Sequence, residues 1–301
     1  MAASLDRTSF VIRLGAPEWS AASNWGDYFL AAALRDTLVR RGHQVLLQVA
    51  EDQGTAPGSC LEVLLHLRGR RPAQTSPGQL NLVWQISHPA ETPIEELEDY
   101  DAVLVASRSH ARTLAEALTV PVHPFLQFTD PDRFSPRSDP DHAQELLFVG
   151  NWRYVFRRIV WDALSIGREL ALIGQGWAYL APEHLVAEHV PNPELARFYA
   201  SCSILLCDHW DDMREHGFIS NRIFDALACG AFIISDHFEA LVEEFPDALE
   251  TYRQPGELQE KIAHYLSRPE HRRERAARGR DLVVRLHTSD HRANELLLLV
   301  S

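Results

Sequence analysis

Positive charge and cysteine are both scarce in this sequence of 301 residues. Lysine and arginine number 29 against 42 aspartates and glutamates, which gives a formal net charge of -13. A nucleic-acid binder needs a basic surface, so this balance argues against nucleic acid as a partner. The four cysteines form no close CxxC pair. This argues against a zinc site and is typical of buried, reduced thiols in a cytoplasmic protein.

Long apolar runs are also missing. No stretch approaches the roughly 20 apolar residues that a membrane-spanning helix needs. Residues 1–8 lack the apolar core of a secretory signal. We therefore expect a soluble cytoplasmic protein without a membrane span. Hydrophobic residues make up 46% of the chain, which is enough to bury one large core or two small ones.

Short apolar runs alternate with helical patterns along most of the chain. In the first part these runs lie at 10–14, 45–49, 61–67, 80–86, 102–106 and 120–125. A second series follows at 146–149, 170–173, 203–207 and 231–235. Such alternation is typical of parallel sheets covered by helices. We therefore predict an α/β protein with two Rossmann-like domains that face each other across a cleft.

The stretch 129–143 (TDPDRFSPRSDPDHA) separates the two series and is rich in proline, aspartate and serine. This composition is typical of an interdomain linker. We therefore predict an N-terminal domain at 1–138 and a C-terminal domain at 139–301, whose last helix is able to cross back to the first domain. Ligands of such sheets bind outside the carboxyl ends of the strands.

The most informative segment runs from 208 to 236. A loop that contains Gly217 leads into a predicted helix at 219–228, whose first turn carries Ser220, Asn221 and Arg222. The free N–H groups and the dipole of a helix N-terminus favour a phosphate, and Arg222 would add direct charge neutralisation. Asp225 follows on the same helix, where a carboxylate accepts hydrogen bonds from ribose hydroxyls. An ordinary capped helix of an α/β domain would show the same pattern, so the residues alone leave both interpretations open.

GFISNRIFDALACG, at 217–230, resembles the donor-binding segment of the group-1 glycosyltransferases. It is especially similar to the branch that contains the spore-maturation (CgeB-like) type glycosyltransferases. Four further blocks look like characteristic blocks of that group: SHPAE at 87–91, YDAVLVAS at 100–107, FVGNWR at 148–153 and HTSDHRA at 287–293. The resemblance implies the GT-B fold and an enzyme of the hexosyltransferase type. It also implies a nucleotide-diphosphate sugar as co-substrate, with no bound cofactor.

The resemblance also implies which residues bind the donor. It places the donor at the following residues of the C-terminal domain: Asn151, Arg153, Arg158, Val190, Gly217, Phe218, Ile219, Ser220, Asn221, Arg222 and Asp225. Arg153 is the first candidate for the diphosphate and Arg158 the second, although Arg153 would also fit as a surface arginine. The loop near Val190 is expected to offer backbone atoms to the nucleobase, and Trp177 is either a stacking partner or a core residue.

One departure from the family pattern concerns a pair of glutamates that are usually separated by seven residues. Asp225 stands for the second glutamate, whereas the first has no clean equivalent. Glu215 and His216 lie close to its place, but their spacing is shifted. The sequence also lacks a DxD motif in the strand-end context of metal-dependent transferases. We therefore expect no metal site, with an arginine stabilising the departing diphosphate instead.

Asp27 and His88 are the catalytic candidates of the N-terminal domain. Asp27 lies at the first β–α turn, and His88 follows the apolar run at 80–86. Either residue can act as the general base if the reaction inverts the anomeric centre. If the reaction retains it, the resemblance implies that His88 contacts the donor sugar. A helix N-cap role for Asp27 and a loop role for His88 are the plain alternatives.

The function predicted from the sequence is metal-independent transfer of a sugar from a nucleotide sugar to an acceptor. The acceptor is a glycan, a protein or a small molecule. Two alternatives stay open. The first is a sugar-nucleotide epimerase, which turns over donor without an acceptor. The second is a catalytically degenerate module that binds a nucleotide sugar or a partner protein.

Overall fold

The computed structural model describes residues 7–52, 62–69, 71, 74–152 and 154–301. Two residues from the sequence analysis, the diphosphate candidate Arg153 and Cys60, lie outside this part of the chain. The other three cysteines are free thiols: Cys207 and Cys229 are buried, and Cys202 is partly buried.

The described residues form twelve strands in two sheets of six. Every strand runs parallel to its neighbours, in the orders β2-β1-β3-β4-β5-β6 and β12-β11-β10-β7-β8-β9. The strands are β1 Ser9–Arg13, β2 Gln44–Gln48, β3 Val63–Arg68, β4 Leu80–Gln85, β5 Ala102–Val105, β6 Val122–Pro124, β7 Gln144–Val149, β8 Leu170–Ile173, β9 Leu185–Ala187, β10 Cys202–Cys207, β11 Ile233–Asp236 and β12 Glu250–Tyr252. The predicted α/β class with two Rossmann-like sheets is confirmed.

Helices connect most of the successive described strands of each sheet, although no α-helix is described between β2 and β3 or between β3 and β4. The α-helices of the described residues are α1 Trp19–Ala22, α2 Gly26–Arg40, α3 Ile94–Leu97, α4 Arg108–Ala117, α5 Arg158–Leu164, α6 Trp177–Leu180, α7 Leu195–Ser201, α8 Asp211–Glu215, α9 Asn221–Ala228, α10 Glu239–Glu244, α11 Pro255–Ser267, α12 Pro269–Leu286 and α13 Ser289–Leu299. None of these helices is long and apolar enough to cross a membrane.

The first compact unit comprises Met1–Phe128 together with two later segments, Asp211–Ile219 and Ser289–Ser301. Its core centres on Trp84, whose indole N–H donates to the Phe125 carbonyl over 2.8 Å. The C-terminal helix α13 is anchored in this unit, because the Ser289 hydroxyl lies 3.0 Å from the Thr37 hydroxyl of α2.

The second compact unit comprises Thr129–Trp210 and Ser220–Thr288. The division therefore falls at 128/129, ten residues before the predicted boundary, and the proline-rich stretch 129–143 packs within this unit. Its backbone begins beside α12, since the Thr129 N–H donates to the His287 carbonyl over 2.9 Å. Phe134 is buried and stacks on Tyr199. The sequence shows that this stretch is rich in proline, but it does not show which residues its two buried side chains, Thr129 and Phe134, pack against.

The order of strands places a topological switch point in each sheet. In the second sheet the chain starts centrally at β7, moves outward through β8 and β9, and returns to β10 on the other side of β7. In the first sheet the corresponding point lies between β1 and β3. The crevice at the carboxyl ends of the two strands beside a switch point is where open parallel sheets bind ligands.

Candidate functional site

Two loops are joined at the carboxyl edge of the second sheet, one after β7 and one after β8. The Gly150 N–H donates to the Ile173 carbonyl over 2.8 Å, and the Trp152 N–H donates to the Gln175 carbonyl over 2.9 Å. The Asn151 side-chain oxygen accepts from the Gln175 N–H over 2.9 Å. Because this oxygen is used within the protein, the amide N–H₂ of Asn151 is the part left for a ligand.

Gly174 makes this close approach of the two loops possible. Its φ is +142°, and a Cβ at this position would lie 2.4 Å from the Gly150 carbonyl oxygen. No other residue fits there without moving the backbone. Trp177 also fixes the loop after β7, because its indole N–H donates to the Gly150 carbonyl over 2.7 Å. Trp177 is fully buried, so it is a core residue rather than a stacking partner.

An arginine–aspartate pair bridges the two sides of the switch point. Arg157 donates from Nε and Nη2 to the two carboxylate oxygens of Asp208, over 2.8 and 2.5 Å. Asp208 follows β10, whereas Arg157 precedes α5 on the β7 side. The Arg157 guanidinium also lies 4.9 Å from the centre of the Phe148 ring. The pair therefore holds a buried guanidinium at the carboxyl edge of the sheet, where open parallel sheets bind ligands.

Neither Arg157 nor Asp208 was among the residues predicted from the sequence. Arg158, the second arginine predicted to bind the diphosphate, is more than half exposed and pairs with Asp162 of the same helix over 3.4 Å. Adjacent arginines at a helix start face different directions, and sequence alone does not say which one turns inward. The acidic residue directly after the strand at 202–207 was the available signal, since opposite charges tend to pair at such an edge.

Arg222 is the second cation at this edge. Helix α9 starts at Asn221, two residues later than predicted, so Arg222 is its second residue. Its guanidinium lies 5.5 Å from the centre of the same Phe148 ring. Gly150 leaves room for it, because a Cβ on Gly150 would lie 2.9 Å from Nη2 of Arg222. The buried Nη1 makes no hydrogen bond with any described residue, which leaves a positively charged donor unused.

Asp225 lies one turn along α9 and is buried within the second unit. Its two oxygens accept from the Thr129 hydroxyl over 2.9 Å and from the Asn221 amide over 2.8 Å. Burial raises the pKa of Asp225 to about 8, although both hydrogen bonds act to lower it. Near neutral pH this carboxyl group therefore carries a proton that a bound hydroxyl donor would displace.

The remaining donor candidates divide between the units. Ser220 is the N-cap of α9, but its hydroxyl makes no capping hydrogen bond. Val190 is partly buried, three residues beyond the end of β9. Gly217, Phe218 and Ile219 belong to the first unit, and the side chains of the last two are buried there. Only backbone atoms of these two residues are left to meet a ligand.

In the first unit, Asp27 is held at the end of β1. Helix α2 starts at Gly26 after Trp25 as N-cap, so Asp27 does not cap this helix. Its Oδ2 instead accepts from the Gly15 N–H over 3.1 Å. Burial raises the pKa of Asp27, and the backbone N–H of Gly15 opposes that shift. A carboxylate with a raised pKa suits proton transfer.

His88 follows β4 with a left-handed backbone, at φ +51°, and is buried. Its Nδ1 lies 3.7 Å from Oδ2 of Asp212 and 3.9 Å from Oε1 of Glu91. Asp212 belongs to α8, within the segment Asp211–Ile219 that joins the first unit. His88 therefore has a carboxylate neighbour that lies more than 120 residues away in sequence.

The same segment is anchored by His216, one of the two substitutes considered for the missing glutamate. The Ser107 hydroxyl donates to the His216 carbonyl over 2.7 Å, and the His216 ring lies 4.7 Å from the His110 ring. Burial lowers the pKa of His110 to about 4, which keeps this ring neutral beside its neighbour. Glu215, the other substitute, is exposed. Across the described ranges, no group of three or more His, Cys, Asp or Glu side chains is placed to hold a metal ion.

Comparisons with known proteins agree with this architecture. Residues 155–298 match a family model described as glycosyl transferase-like, and no curated protein matches the sequence. Similar solved structures include sucrose-phosphate synthase from Thermosynechococcus elongatus, with a TM-score of 0.71, 12% identity and 98% of each chain covered. An alpha-glucosyltransferase in complex with UDP-glucose and DNA has a TM-score of 0.69 and 10% identity, covering 98% of this chain and 99% of that one.

A third similar structure is Anabaena HepE in complex with UDP and glucose, with a TM-score of 0.66 and 9% identity. It covers 98% of this chain and 99% of that chain. At these identities the likeness establishes the fold, which is GT-B. The glycosyl transferase-like model matches residues 155–298 and agrees with the enzyme class predicted from the sequence.

Proposed function

We propose that this protein transfers a sugar from a nucleoside-diphosphate sugar to an acceptor, with the donor held by the second unit and no metal required. We further propose that it acts in the cytoplasm and belongs to the CgeB-like branch of group-1 glycosyltransferases. The four sequence blocks outside the donor segment support that assignment. Two of the similar structures contain UDP or UDP-glucose, which makes a uridine nucleotide the first donor to test.

The observation that carries this proposal is the unused Nη1 of Arg222. A buried guanidinium without a hydrogen-bond partner is costly for a folded protein, and the cost falls when an anion binds. The atom lies at the start of α9, where free backbone N–H groups also favour a phosphate. Arg157 lies close to the same aromatic ring, but its three nitrogens donate to Asp208 and to the Asn151 carbonyl, so it shapes the site and leaves the anion to Arg222. The diphosphate of a nucleotide sugar is an anion that would supply the partner Nη1 lacks.

The other groups follow from that placement. Asp225 would accept hydrogen bonds from the ribose hydroxyls, and the N–H₂ of Asn151 would donate to a phosphate oxygen. In the reaction, the bond between the anomeric carbon and the diphosphate oxygen breaks, and the nucleoside diphosphate leaves with the electron pair. Arg222 would stabilise the negative charge that develops on it, in place of a metal ion.

The acceptor oxygen forms the new bond to the anomeric carbon and loses its proton. Asp27 and His88 of the first unit are the groups we propose for this part of the reaction. His88 is buried and Asp27 partly buried, and both lie near carboxyl ends of strands of the first sheet. The acceptor itself is a glycan, a protein or a small molecule.

The test is a thermal-shift and diphosphate-release screen of UDP-, TDP-, GDP- and ADP-sugars in the presence of a chelator. Because a ligand that binds only the native state stabilises it, we expect one nucleotide sugar to raise the Tm. We also expect slow release of its nucleoside diphosphate without acceptor. Absence of any shift across the panel would contradict the proposal, and conversion of the donor into an epimer would favour the epimerase alternative.

A further inference from the structure

A histidine–aspartate pair lies at the carboxyl edge of the second sheet, beside the groups considered above. His209 follows β10 by two residues, and Asp236 is the last residue of β11. These strands are parallel neighbours, with Cys207 opposite Ser235. Nδ1 of His209 lies 2.8 Å from Oδ1 of Asp236, and the His209 backbone N–H donates to Oδ2 over 3.1 Å. The carboxylate therefore fixes both the ring and the backbone of His209.

The bonds to Asp236 also fix the tautomer of the ring. The Ser235 hydroxyl donates to Oδ1 of Asp236 over 2.9 Å, so this carboxylate is well supplied with donors. An ionised carboxylate at Nδ1 requires the proton on Nδ1. Nε2 of the neutral ring is then a hydrogen-bond acceptor.

This acceptor is unused. The His209 side chain is fully buried, and its Nε2 makes no hydrogen bond with any residue in the described part of the chain. The ring is wedged edge-on against Phe238, with 4.8 Å between ring centres. Ring geometry directs Nε2 away from Asp236. A buried polar atom without a partner is uncommon in folded proteins and calls for a ligand or another explanation.

The surroundings of His209 favour a neutral hydroxyl over a phosphate as that ligand. The Asp236 carboxylate contacts the His209 ring, whereas the carboxylate of the preceding Asp208 is paired with Arg157. An anion would be repelled there, and its oxygens offer no hydrogen to Nε2. The unpaired cation Arg222 is the better partner for phosphate. A sugar hydroxyl, by contrast, has the hydrogen that Nε2 lacks and carries no charge.

We propose that Nε2 of His209 accepts a hydrogen bond from a hydroxyl of the donor sugar, which makes His209 a specificity-determining residue, with Asp236 as its positioning residue. This inference rests on the proposed function.

The experiment compares His209→Asn with the wild-type chain by titration calorimetry, using UDP and UDP-glucose, or the equivalent pair that the screen selects. Asparagine keeps an N–H donor for Asp236 but has no atom at the place of Nε2. We expect the Kd of the nucleotide sugar to rise about tenfold, because one hydrogen bond to a buried group is lost. The Kd of the nucleoside diphosphate should stay within about twofold, since that molecule lacks the transferred sugar and therefore the hydroxyl that His209 would bind.

His184→Asn is the matched control. Like the His209 ring, the His184 ring is held through Nδ1, here 3.0 Å from the Leu170 carbonyl oxygen. Leu170 is the first residue of β8, at the end of the strand away from the carboxyl edge. We expect both Kd values of this variant to be unchanged. If His209→Asn does not fold, deoxy-sugar analogues of the donor answer the question in the wild-type chain. Removal of one particular hydroxyl should then weaken binding about tenfold.

Three results would overturn the inference: equal weakening of both ligands in His209→Asn, no change for either ligand, or equal binding of all deoxy analogues. Equal weakening would indicate a phosphate contact or a structural role. Failure of the wild-type chain to bind any nucleotide or nucleotide sugar would instead contradict the proposed function. The two failures are therefore distinguishable in the same set of titrations.

Discussion

Each sheet carries a buried or partly buried arginine at its switch point, and the two arginines differ in how they are used. Arg68 ends β3 of the first sheet, where Nε and Nη2 donate to both oxygens of Glu96 over 2.6 and 2.9 Å. Its Nη1 donates to the Gly69 carbonyl, so all three nitrogens are bonded within the protein. Arg222 of the second unit leaves its Nη1 without a hydrogen bond among the described residues.

This difference separates a structural arginine from a binding arginine. A guanidinium whose donors are all satisfied stabilises the fold and offers nothing to a ligand. One that keeps a buried donor unpaired weakens the fold and offers a charge-assisted hydrogen bond to an anion. We therefore assign phosphate binding to the second sheet, although both sheets have the same number of strands and the same parallel arrangement.

The largest effect expected on stability is that of Arg68→Ala. Arg68 is 2% exposed, and its loss leaves Glu96 without its partner. Breaking a buried ion pair costs about 3–5 kcal/mol, so the midpoint of urea unfolding should fall markedly. Nucleotide binding to the protein that remains folded should be unchanged. A loss below about 1 kcal/mol would show that Arg68 is not the structural counterpart we describe.

Gly174→Ala tests how tightly the two loops of the second sheet are joined. The new Cβ would lie 2.4 Å from the Gly150 carbonyl oxygen, so the backbone must shift. We expect a loss of roughly 1–3 kcal/mol of unfolding free energy together with weaker nucleotide binding. Gly256→Ala in α11 is the control, because nothing lies within 4 Å of its Cβ position. An equal effect of the two substitutions would contradict the described loop contact.

The raised pKa of Asp225 leads us to expect that donor binding depends on pH. The free protein holds a proton on this carboxyl group below about pH 8, and ribose hydroxyls favour the ionised form. Binding should therefore expel a proton, and affinity should rise with pH by up to about tenfold per unit until about pH 8. Titrations of a nucleotide sugar in two buffers of different ionisation enthalpy measure the proton. Proton uptake, or affinity that falls as pH rises to 8, would contradict this role.

The smallest effect is expected for Asp212→Asn in the first unit. The Asp212 carboxylate is 3.7 Å from His88 and is partly exposed, so its loss should cost at most about 1 kcal/mol. UDP binding should be unaffected because Asp212 is not part of the second sheet. If His88 acts on the acceptor, the rate of transfer should fall more than in the neighbouring control Asp211→Asn. Equal rates in both variants would leave His88 without help from Asp212.

Regular features of this fold are readable from the sequence. Long buried strands such as β3, β7 and β10 appear as apolar runs, and the helix that carries Arg222 and Asp225 was placed within two residues. The three-residue edge strands β9 and β12 were not predicted, because Leu185–Ala187 and Glu250–Tyr252 do not belong to a longer apolar run, whereas β6, of the same length, lies within the run 120–125. Burial of a strand interior leaves a hydrophobic signal in the sequence. Backbone pairing alone, which defines many short edge strands, leaves no such signal.

The site was only partly predictable for a related reason. Arg222 and Asp225 lie in a contiguous motif, so their spacing was visible. Arg157, Asp208 and the pair of His209 with Asp236 are brought together by strand order, and that order is not written in any local window. The segment Asp211–Ile219 shows the same limit, since nothing in its composition tells that it belongs to the first unit.

The most direct test of the account is titration of UDP, or of the nucleoside diphosphate that the screen selects, into Arg222→Ala and Arg168→Ala. Arg168 is exposed and pairs with Glu145 near the opposite ends of the strands, so it serves as the control for a lost positive charge. We predict that Arg222→Ala weakens binding by roughly 1.5–3 kcal/mol, as expected for a charge-assisted hydrogen bond, and that Arg168→Ala leaves it unchanged. If the affinity for the nucleoside diphosphate is unchanged in Arg222→Ala, or if both variants lose affinity equally, then Nη1 of Arg222 does not hold the donor diphosphate.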